Sequence, residues 1–154
     1  MKGLGTALVT PFTKEGKVDY ESLGQLIEHQ VAGGTDYLVI LGTTSEVPTL
    51  THKEQDEIIT YVVKQVAGRM PLVLGIGGNS TAAVVERIEE LKEQLVAHFA
   101  ALLSVTPYYN RPQQEGLYLH FSAVAEASPV PVILYNVPKR TGVNLLPETT
   151  RRIY

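Results

Sequence analysis

Side chains that could bind a substrate or move a proton gather in short stretches that follow apolar runs of the chain. Hydroxyl, phenol, amide and guanidinium groups form hydrogen bonds, and hydroxyls and phenols also transfer protons. If the apolar runs are parallel strands, these groups meet at one edge of a sheet. The stretches are Thr43-Thr44-Ser45-Glu46, Thr106-Pro107-Tyr108-Tyr109-Asn110 and 135–140.

Each of these stretches also has a purely structural explanation. Thr43 and Thr44 could satisfy backbone groups where a strand ends. The tyrosine pair could pack at an interface, and Arg140 could be a solvated loop charge. The stretch 75–79 is glycine-rich like a phosphate-binding loop, but it does not match G-x-G-x-x-G, which favours a tight turn. The residues alone leave both explanations open.

Short runs rich in β-branched and apolar residues recur along the chain. Their spacing is about 30 residues, the length of one strand–helix unit of a parallel sheet. Each run is apolar nearly throughout, as in a strand that is covered on both faces. The predicted strands are 6–12, 37–43, 71–77, 101–107 and 131–138.

The segments between these runs have the periodicity of amphipathic helices. Asp19 is the predicted cap of a first helix, which ends at 33–34 with two glycines. Thr51 and Glu54 form a capping box for a second helix, which ends at Gly68. Further helices are predicted around 84–95, from about Gln113 to Ala127, and from Pro147 onwards.

Five strands and four complete helices predict an α/β fold, a partial (β/α)8 TIM-type barrel. A closed barrel needs about 250 residues, so this chain corresponds to roughly half of one. An open doubly wound sheet is the alternative, but no nucleotide-binding fingerprint follows the first strand. We expect residues 1–154 to form a single N-terminal portion of a barrel, without a separate second domain.

The connection between the third and fourth strands is unusual because Gly78 and Pro107 enclose a stretch with neither glycine nor proline. With no such residue to end a helix, this segment could stay helical well past Leu95. Two structures therefore remain open for 79–104: a helix followed by the fourth strand, or one long helix.

The composition limits the classes of function. The chain is 44% hydrophobic, and its 13 basic and 16 acidic side chains are dispersed, which predicts neither a nucleic-acid nor a membrane partner. It has no cysteine, its 4 histidines lack metal-ligand spacing, and no apolar run is long enough to span a membrane. We therefore expect a cytoplasmic protein that binds no metal.

Several stretches resemble the class I aldolase-type lyases, the superfamily that contains dihydrodipicolinate synthase and N-acetylneuraminate lyase. They are GTALVTPF, LGTTSE, TPYYNRPQQEGLYLHF and LYNVPKRTGVNLLPET, and the resemblance extends along nearly all 154 residues. The combination of TPYYNRPQQEG with YNVPKRTG is highly specific. The doubled threonine and Arg140 favour the synthase over the neuraminate lyase.

The resemblance implies an oligomeric enzyme without a cofactor, which condenses pyruvate with L-aspartate-4-semialdehyde through a Schiff base on a lysine. Tyr135 would be the acid–base at the imine, and Thr44 and Tyr109, the latter across a dimer contact, would relay its proton. Thr43 and Thr44 would also hold the pyruvate carboxylate, and Arg140 would hold the carboxylate of the semialdehyde. These roles suit the groups, because a phenol with a pKa of about 10 needs hydroxyls to pass on its proton, and a guanidinium matches a carboxylate.

The resemblance also places the Schiff-base lysine on a sixth strand, after Tyr154. None of the lysines of this chain lies inside a predicted strand, so we expect the chain alone to lack synthase activity. The alternative function is a non-catalytic half-barrel that associates with itself to cover its open sheet edges.

Two smaller departures from the synthases concern a turn and an effector site. Ser45 replaces the glycine usual in GTTGE, which we expect to change the turn only slightly. Among the residues that bind the feedback inhibitor lysine in some synthases, His52, Asn79 and Tyr108 match, whereas Ala83 replaces a carboxylate. That replacement argues against feedback inhibition by lysine.

Overall fold

The computed structural model describes all 154 residues. Backbone contacts divide the chain into two compact units, Met1–Gly75 and Ile76–Tyr154. In both units, helices separate successive strands. No helix has the length and hydrophobicity that crossing a bilayer requires.

The first unit contains three parallel strands. These are β1 (Gly5–Ala7), β2 (Tyr37–Ile40) and β3 (Leu72–Gly75), with Leu38 of β2 aligned with Thr6 on one side and with Leu72 on the other. Each strand is shorter than the apolar run that predicts it, because the last residues of each run leave the ladder. Those departing residues form the loops at the carboxyl ends of the strands.

Two helices of the first unit begin where the sequence predicts. In α1 (Tyr20–Ala32) the Asp19 carboxylate accepts a hydrogen bond from the Ser22 amide at 3.0 Å, which satisfies one of the free N–H groups of the first turn. In α2 (His52–Val66) the capping box of Thr51 and Glu54 is formed, as predicted.

The second unit contains two parallel strands and five helices. In β4 (Ala101–Val105) and β5 (Val132–Tyr135), the register aligns Leu102 with Val132 and Val105 with Tyr135. The helices are α3 (Thr81–Glu90), α4 (Lys92–His98), α5 (Gln114–Ala127), α6 (Pro138–Thr141) and α7 (Pro147–Ile153).

The segment between Gly78 and Pro107, which contains no glycine or proline, does not form one continuous helix. The helix ends at Glu90, Leu91 takes a non-helical conformation, and α4 ends before the extended residue Phe99. The next residues pair with β5 along four aligned positions, so the fourth strand is formed. The predicted fourth strand is therefore confirmed and the alternative of one long helix over 79–104 is excluded, because tertiary pairing decides the conformation of an apolar segment that could locally be either.

The core of the second unit forms around α5. Leu117, Phe121 and Leu145 are buried together, and partly buried apolar side chains from β5, from the loop before α7 and from α7 pack against them. His120, on the same helix, is also buried and has an edge-on contact with the ring of Phe121 at 5.1 Å between centroids. A hydrogen bond of 2.8 Å joins its Nδ1 to the hydroxyl of Thr81, while its Nε2 has no partner.

The buried imidazole makes the stability of the fold depend on pH. Burial lowers the pKa of His120 from its usual 6.5, so the folded state keeps the ring neutral. Below pH 6.5 the unfolded chain binds the extra proton first, and the free energy of unfolding falls as the pH drops. We expect urea denaturation to show that His120 contributes at most about 1.4 kcal/mol per pH unit to this decrease from pH 6.5 downwards.

A His120→Gln variant should lose the part of this pH dependence that His120 contributes. The other three histidines, His29, His52 and His98, are exposed and remain in the variant as an internal control. An equal decrease in both proteins would show that His120 is not the group responsible.

Candidate functional site

The strand β2 ends in a tight turn that exposes two hydroxyl side chains. Thr43 and Thr44 are exposed in a 3₁₀ turn that includes Ser45. The turn is closed by backbone hydrogen bonds from the Ser45 amide to the Gly42 carbonyl at 3.0 Å and from the Glu46 amide to the Thr43 carbonyl at 3.2 Å. The predicted substrate-binding pair therefore lies at the carboxyl end of a parallel strand.

This turn is strained at both ends. Leu41 before it and Glu46 after it have positive φ angles of 52° and 56°. A left-handed conformation costs a residue with a Cβ about 1–2 kcal/mol. Strained backbone of this kind persists where its surroundings fix it, and it is enriched at functional sites.

Two glycines near the end of β3 are explained by packing. A Cβ on Gly75 would lie 2.1 Å from the Leu41 carbonyl oxygen, and a Cβ on Gly77 would lie 2.8 Å from the side chain of Val105. Neither position has room for a larger residue. Packing therefore explains why glycine occupies these two positions, without a role in binding phosphate.

Tyr135, the predicted acid–base, is the last residue of β5. It is partly buried, and its carbonyl accepts a hydrogen bond of 3.0 Å from the amide of Thr106, just after β4. The hydroxyls of Thr106 and Ser104 are buried without a hydrogen-bond partner. Buried hydroxyls are nearly always paired, so the end of β4 has unused hydrogen-bonding capacity beside Tyr135.

Tyr109 lies at the tip of the loop that follows β4. Its side chain is 89% exposed, and its φ is 72°. Asn110 anchors the loop, because its side-chain amide donates to the Asn79 carbonyl at 2.9 Å while its backbone amide donates to the Tyr108 carbonyl at 2.9 Å. A large aromatic ring that is exposed to solvent is available to a partner surface.

Arg140 lies on α6, a short helix that the sequence did not predict. Its guanidinium and the neighbouring Lys139 ammonium are both exposed. Within the second unit, Tyr135 is the last residue of β5, Arg140 follows it, and Tyr109 follows the adjacent parallel strand β4. Thr43 and Thr44 belong to the first unit and follow β2.

Two side-chain amides hold the loop that carries Arg140. Asn136 pairs with both backbone groups of Leu145, accepting from its amide at 3.1 Å and donating to its carbonyl at 3.3 Å, and also donates to the Asn144 side chain at 2.8 Å. Gln114, the first residue of α5, donates to the Asn144 carbonyl at 2.8 Å and accepts from the Leu146 amide at 3.1 Å. The loop 136–146 is therefore closed by contacts that sequence reasoning missed.

Arg111 makes a further contact with this loop. A Cβ on Gly142, whose φ is 72°, would lie 2.8 Å from the Arg111 Nε. The arginine side chain therefore packs directly on the residue that ends α6. The positive φ favours glycine, and a side chain at this position would have to displace the Arg111 guanidinium.

The residues of the predicted effector site are divided between the units. His52, the first residue of α2, is exposed in the first unit. In the second unit Asn79 and Ala83 are exposed, and Tyr108 is partly buried. No three histidine, aspartate or glutamate side chains come together as metal ligands would.

Comparison with known sequences matches residues 1–154 to the Dihydrodipicolinate synthetase family. The chain belongs to this family. A 4-hydroxy-tetrahydrodipicolinate synthase of Parabacteroides distasonis is 56% identical over 153 residues, which are 99% of this chain and 50% of that protein. The resemblance that the sequence motifs indicated is thereby confirmed.

Solved structures of the family have the same fold over these residues. The dihydrodipicolinate synthase of Aquifex aeolicus matches with a TM-score of 0.91 at 44% identity, covering 99% of this chain and 51% of that one. The synthase of Acinetobacter baumannii complexed with pyruvate matches with a TM-score of 0.92 at 44% identity, covering 98% of this chain and 51% of that one. The predicted partial (β/α)8 fold is confirmed, and the chain spans about half the length of the relatives it matches.

Removing the Asn136 amide should loosen the loop that carries Arg140. We expect Asn136→Leu to lower the free energy of unfolding by about 1–3 kcal/mol, because it leaves the Leu145 amide and carbonyl without their partner. Urea denaturation measures this loss.

The matched control is Asn144→Ala, which removes only the bond between the two side chains. It should cost about 0.5–1.5 kcal/mol. Equal losses in the two variants would contradict the role assigned to the pairing of Asn136 with Leu145.

Proposed function

We propose that this chain is the N-terminal part of a synthase that condenses pyruvate with L-aspartate-4-semialdehyde through a lysine Schiff base. Two findings together support this proposal. The chain is 56% identical over 153 residues to a 4-hydroxy-tetrahydrodipicolinate synthase, and its hydroxyl pair follows the carboxyl end of β2 while Tyr135 is the last residue of β5. In barrels of this type the chemistry takes place at those ends.

The acid–base role falls to Tyr135, with Thr44 and Tyr109 as relay. The carbinolamine formed when an amine attacks the pyruvate carbonyl must lose water, so its hydroxyl needs a proton from a nearby acid. A phenol gives that proton and recovers it only if other hydroxyls carry protons to and from solvent. The exposure of Tyr109 and Thr44 supports their use as the outer members of the relay.

The binding roles fall to the threonine pair and to Arg140. Thr43 and Thr44 can donate hydrogen bonds to the pyruvate carboxylate from an ordered turn. The exposed guanidinium of Arg140, on a loop closed by Asn136, suits the carboxylate of the semialdehyde, since a guanidinium binds a carboxylate through two parallel hydrogen bonds.

We assign the Schiff-base amine to residues outside 1–154. All the lysines of this chain are exposed, and none lies in a strand. An amine becomes nucleophilic at neutral pH when burial or a neighbouring cation lowers its pKa. The exposed Lys139, the lysine closest in sequence to Tyr135, lacks that burial.

Trapping with borohydride tests the assignment. We expect the chain alone, incubated with pyruvate and borohydride, to gain no mass on any lysine. Mixed with the C-terminal half of the Parabacteroides distasonis synthase, it should give an adduct on that half together with synthase activity. In the mixture, Tyr135→Phe should lower kcat by about 10²–10⁴ because the acid–base group is lost.

The matched control is Tyr118→Phe, which removes a phenol of α5 in the same unit and should leave kcat unchanged. A lysine adduct in the chain alone would overturn the assignment of the amine. A mixture that neither assembles nor forms an adduct with pyruvate would contradict the proposed function.

A second candidate function is that of a non-catalytic half-barrel that associates with itself. The observation in its favour is the exposure of residues in and beside the strands. All four residues of β5 are partly exposed, and Leu4 and Val9, on either side of β1, are 65% and 46% exposed. A second copy could cover these groups and pair with open strand edges.

Light scattering tests this second candidate. We expect the chain alone to form a dimer or a larger oligomer at micromolar concentration, because association removes apolar side chains from water. A well-folded monomer under those conditions would contradict it.

A further inference from the structure

Ser45 is buried and forms a hydrogen bond that a glycine at this position cannot form. Its side chain is 2% exposed, and its hydroxyl donates to the Leu8 carbonyl at 2.7 Å. In return, the hydroxyl of Thr10, 5% exposed, donates to the Ser45 carbonyl at 2.9 Å. The change from the glycine of GTTGE is therefore larger than the sequence indicated.

The bond from Ser45 satisfies a backbone group for which the sheet provides no partner. The Leu8 amide donates to the Val39 carbonyl at 2.9 Å in the last contact between the first two strands, and Leu8 itself is buried. Without the Ser45 hydroxyl, the Leu8 carbonyl would be a buried acceptor with no donor in the chain. The hydroxyl thus joins the end of β1 to the turn after β2.

The two bonds meet at the strained turn. Ser45 is the last residue of the 3₁₀ turn that begins with Thr43, and the left-handed residues Leu41 and Glu46 lie on either side of that turn. Strained conformations are kept only where several contacts fix the same geometry. The hydroxyls of Ser45 and Thr10 supply two such contacts, both to the backbone.

We infer that Ser45 and Thr10 are positioning residues that hold Thr43 and Thr44 in the orientation in which they bind the carboxylate of the 2-oxo acid. Neither residue touches the substrate. The use of the threonine hydroxyls rests on the proposed function, whereas the fixed orientation is a property of the chain itself. A group that is already oriented loses less conformational entropy when its ligand binds.

The test is the χ1 rotamer of Thr43 and Thr44 in the full chain, measured by NMR from the three-bond couplings of each methyl carbon to the backbone nitrogen and carbonyl carbon. The wild type should give the couplings of a single staggered rotamer for both residues. In Ser45→Ala, Ser45→Gly and Thr10→Val the couplings should move to rotamer-averaged values.

Thr10→Ser keeps the hydroxyl and should restore the single-rotamer couplings, which a role in packing alone would not require. The matched control is Ser22→Ala, which removes another serine hydroxyl of the same unit, one that donates to the Asp19 carboxylate at 2.7 Å. Ser22→Ala should lower the urea concentration at the midpoint of unfolding and leave the χ1 couplings of Thr43 and Thr44 unchanged.

Averaged couplings in the wild type, or single-rotamer couplings in both Ser45→Ala and Thr10→Val, would overturn the inference. If a Ser45 variant does not fold, the comparison of Thr10→Val with Thr10→Ser decides on its own. If the pyruvate trapping experiment fails, the proposed substrate is wrong, but the predicted couplings of Thr43 and Thr44 do not change. The two experiments therefore test the two proposals independently.

Discussion

The parallel strands of this chain are short, with three to five residues each. The backbone that continues beyond the last hydrogen bond between neighbouring strands still needs hydrogen-bond partners. A buried N–H or C=O without a partner is costly, so the backbone of the loop or side chains of the same unit must satisfy it. In the first unit the hydroxyls of Ser45 and Thr10 do this after β1 and β2. In the second unit the amides of Asn136 and Gln114 do it after β5.

This requirement explains why the same loops that carry the candidate functional groups are ordered. The turn that exposes Thr43 and Thr44 has a left-handed residue at each end, and the loop that carries Arg140 ends its helix at a glycine under the Arg111 side chain. A functional group on a loop is effective only if the loop has few alternative conformations. The hydrogen bonds to the backbone therefore connect stability with function.

The sequence predicts what depends on neighbouring residues. Apolar runs indicate all five strands, and the caps at Asp19 and Thr51 follow from side chains that contact the backbone three residues away. The family motifs identify the lineage. The change from helix to strand after His98 is different, because it depends on the pairing of β4 with β5, and neither the composition nor the periodicity of the segment encodes that pairing.

The sequence alone also could not predict the contacts that hold the candidate residues in place. Ser45 lies 37 positions from Leu8, and Gln114 lies 30 positions from Asn144, so no local pattern links the partners. Ser45 had one visible signal, its replacement of a glycine, but the direction of its side chain depends on the fold. The short helix α6 is equally hidden, since its four residues show no periodicity.

Amide hydrogen exchange in the wild-type chain tests directly whether side chains hold the strand-end loops in place. If side chains hold the strand-end loops, the amides of Ser45, Glu46, Leu145 and Leu146 should exchange as slowly as amides inside the strands, although they lie outside every ladder. Exchange of these four amides at the rates of an unstructured peptide, while the strand amides stay protected, would contradict the account.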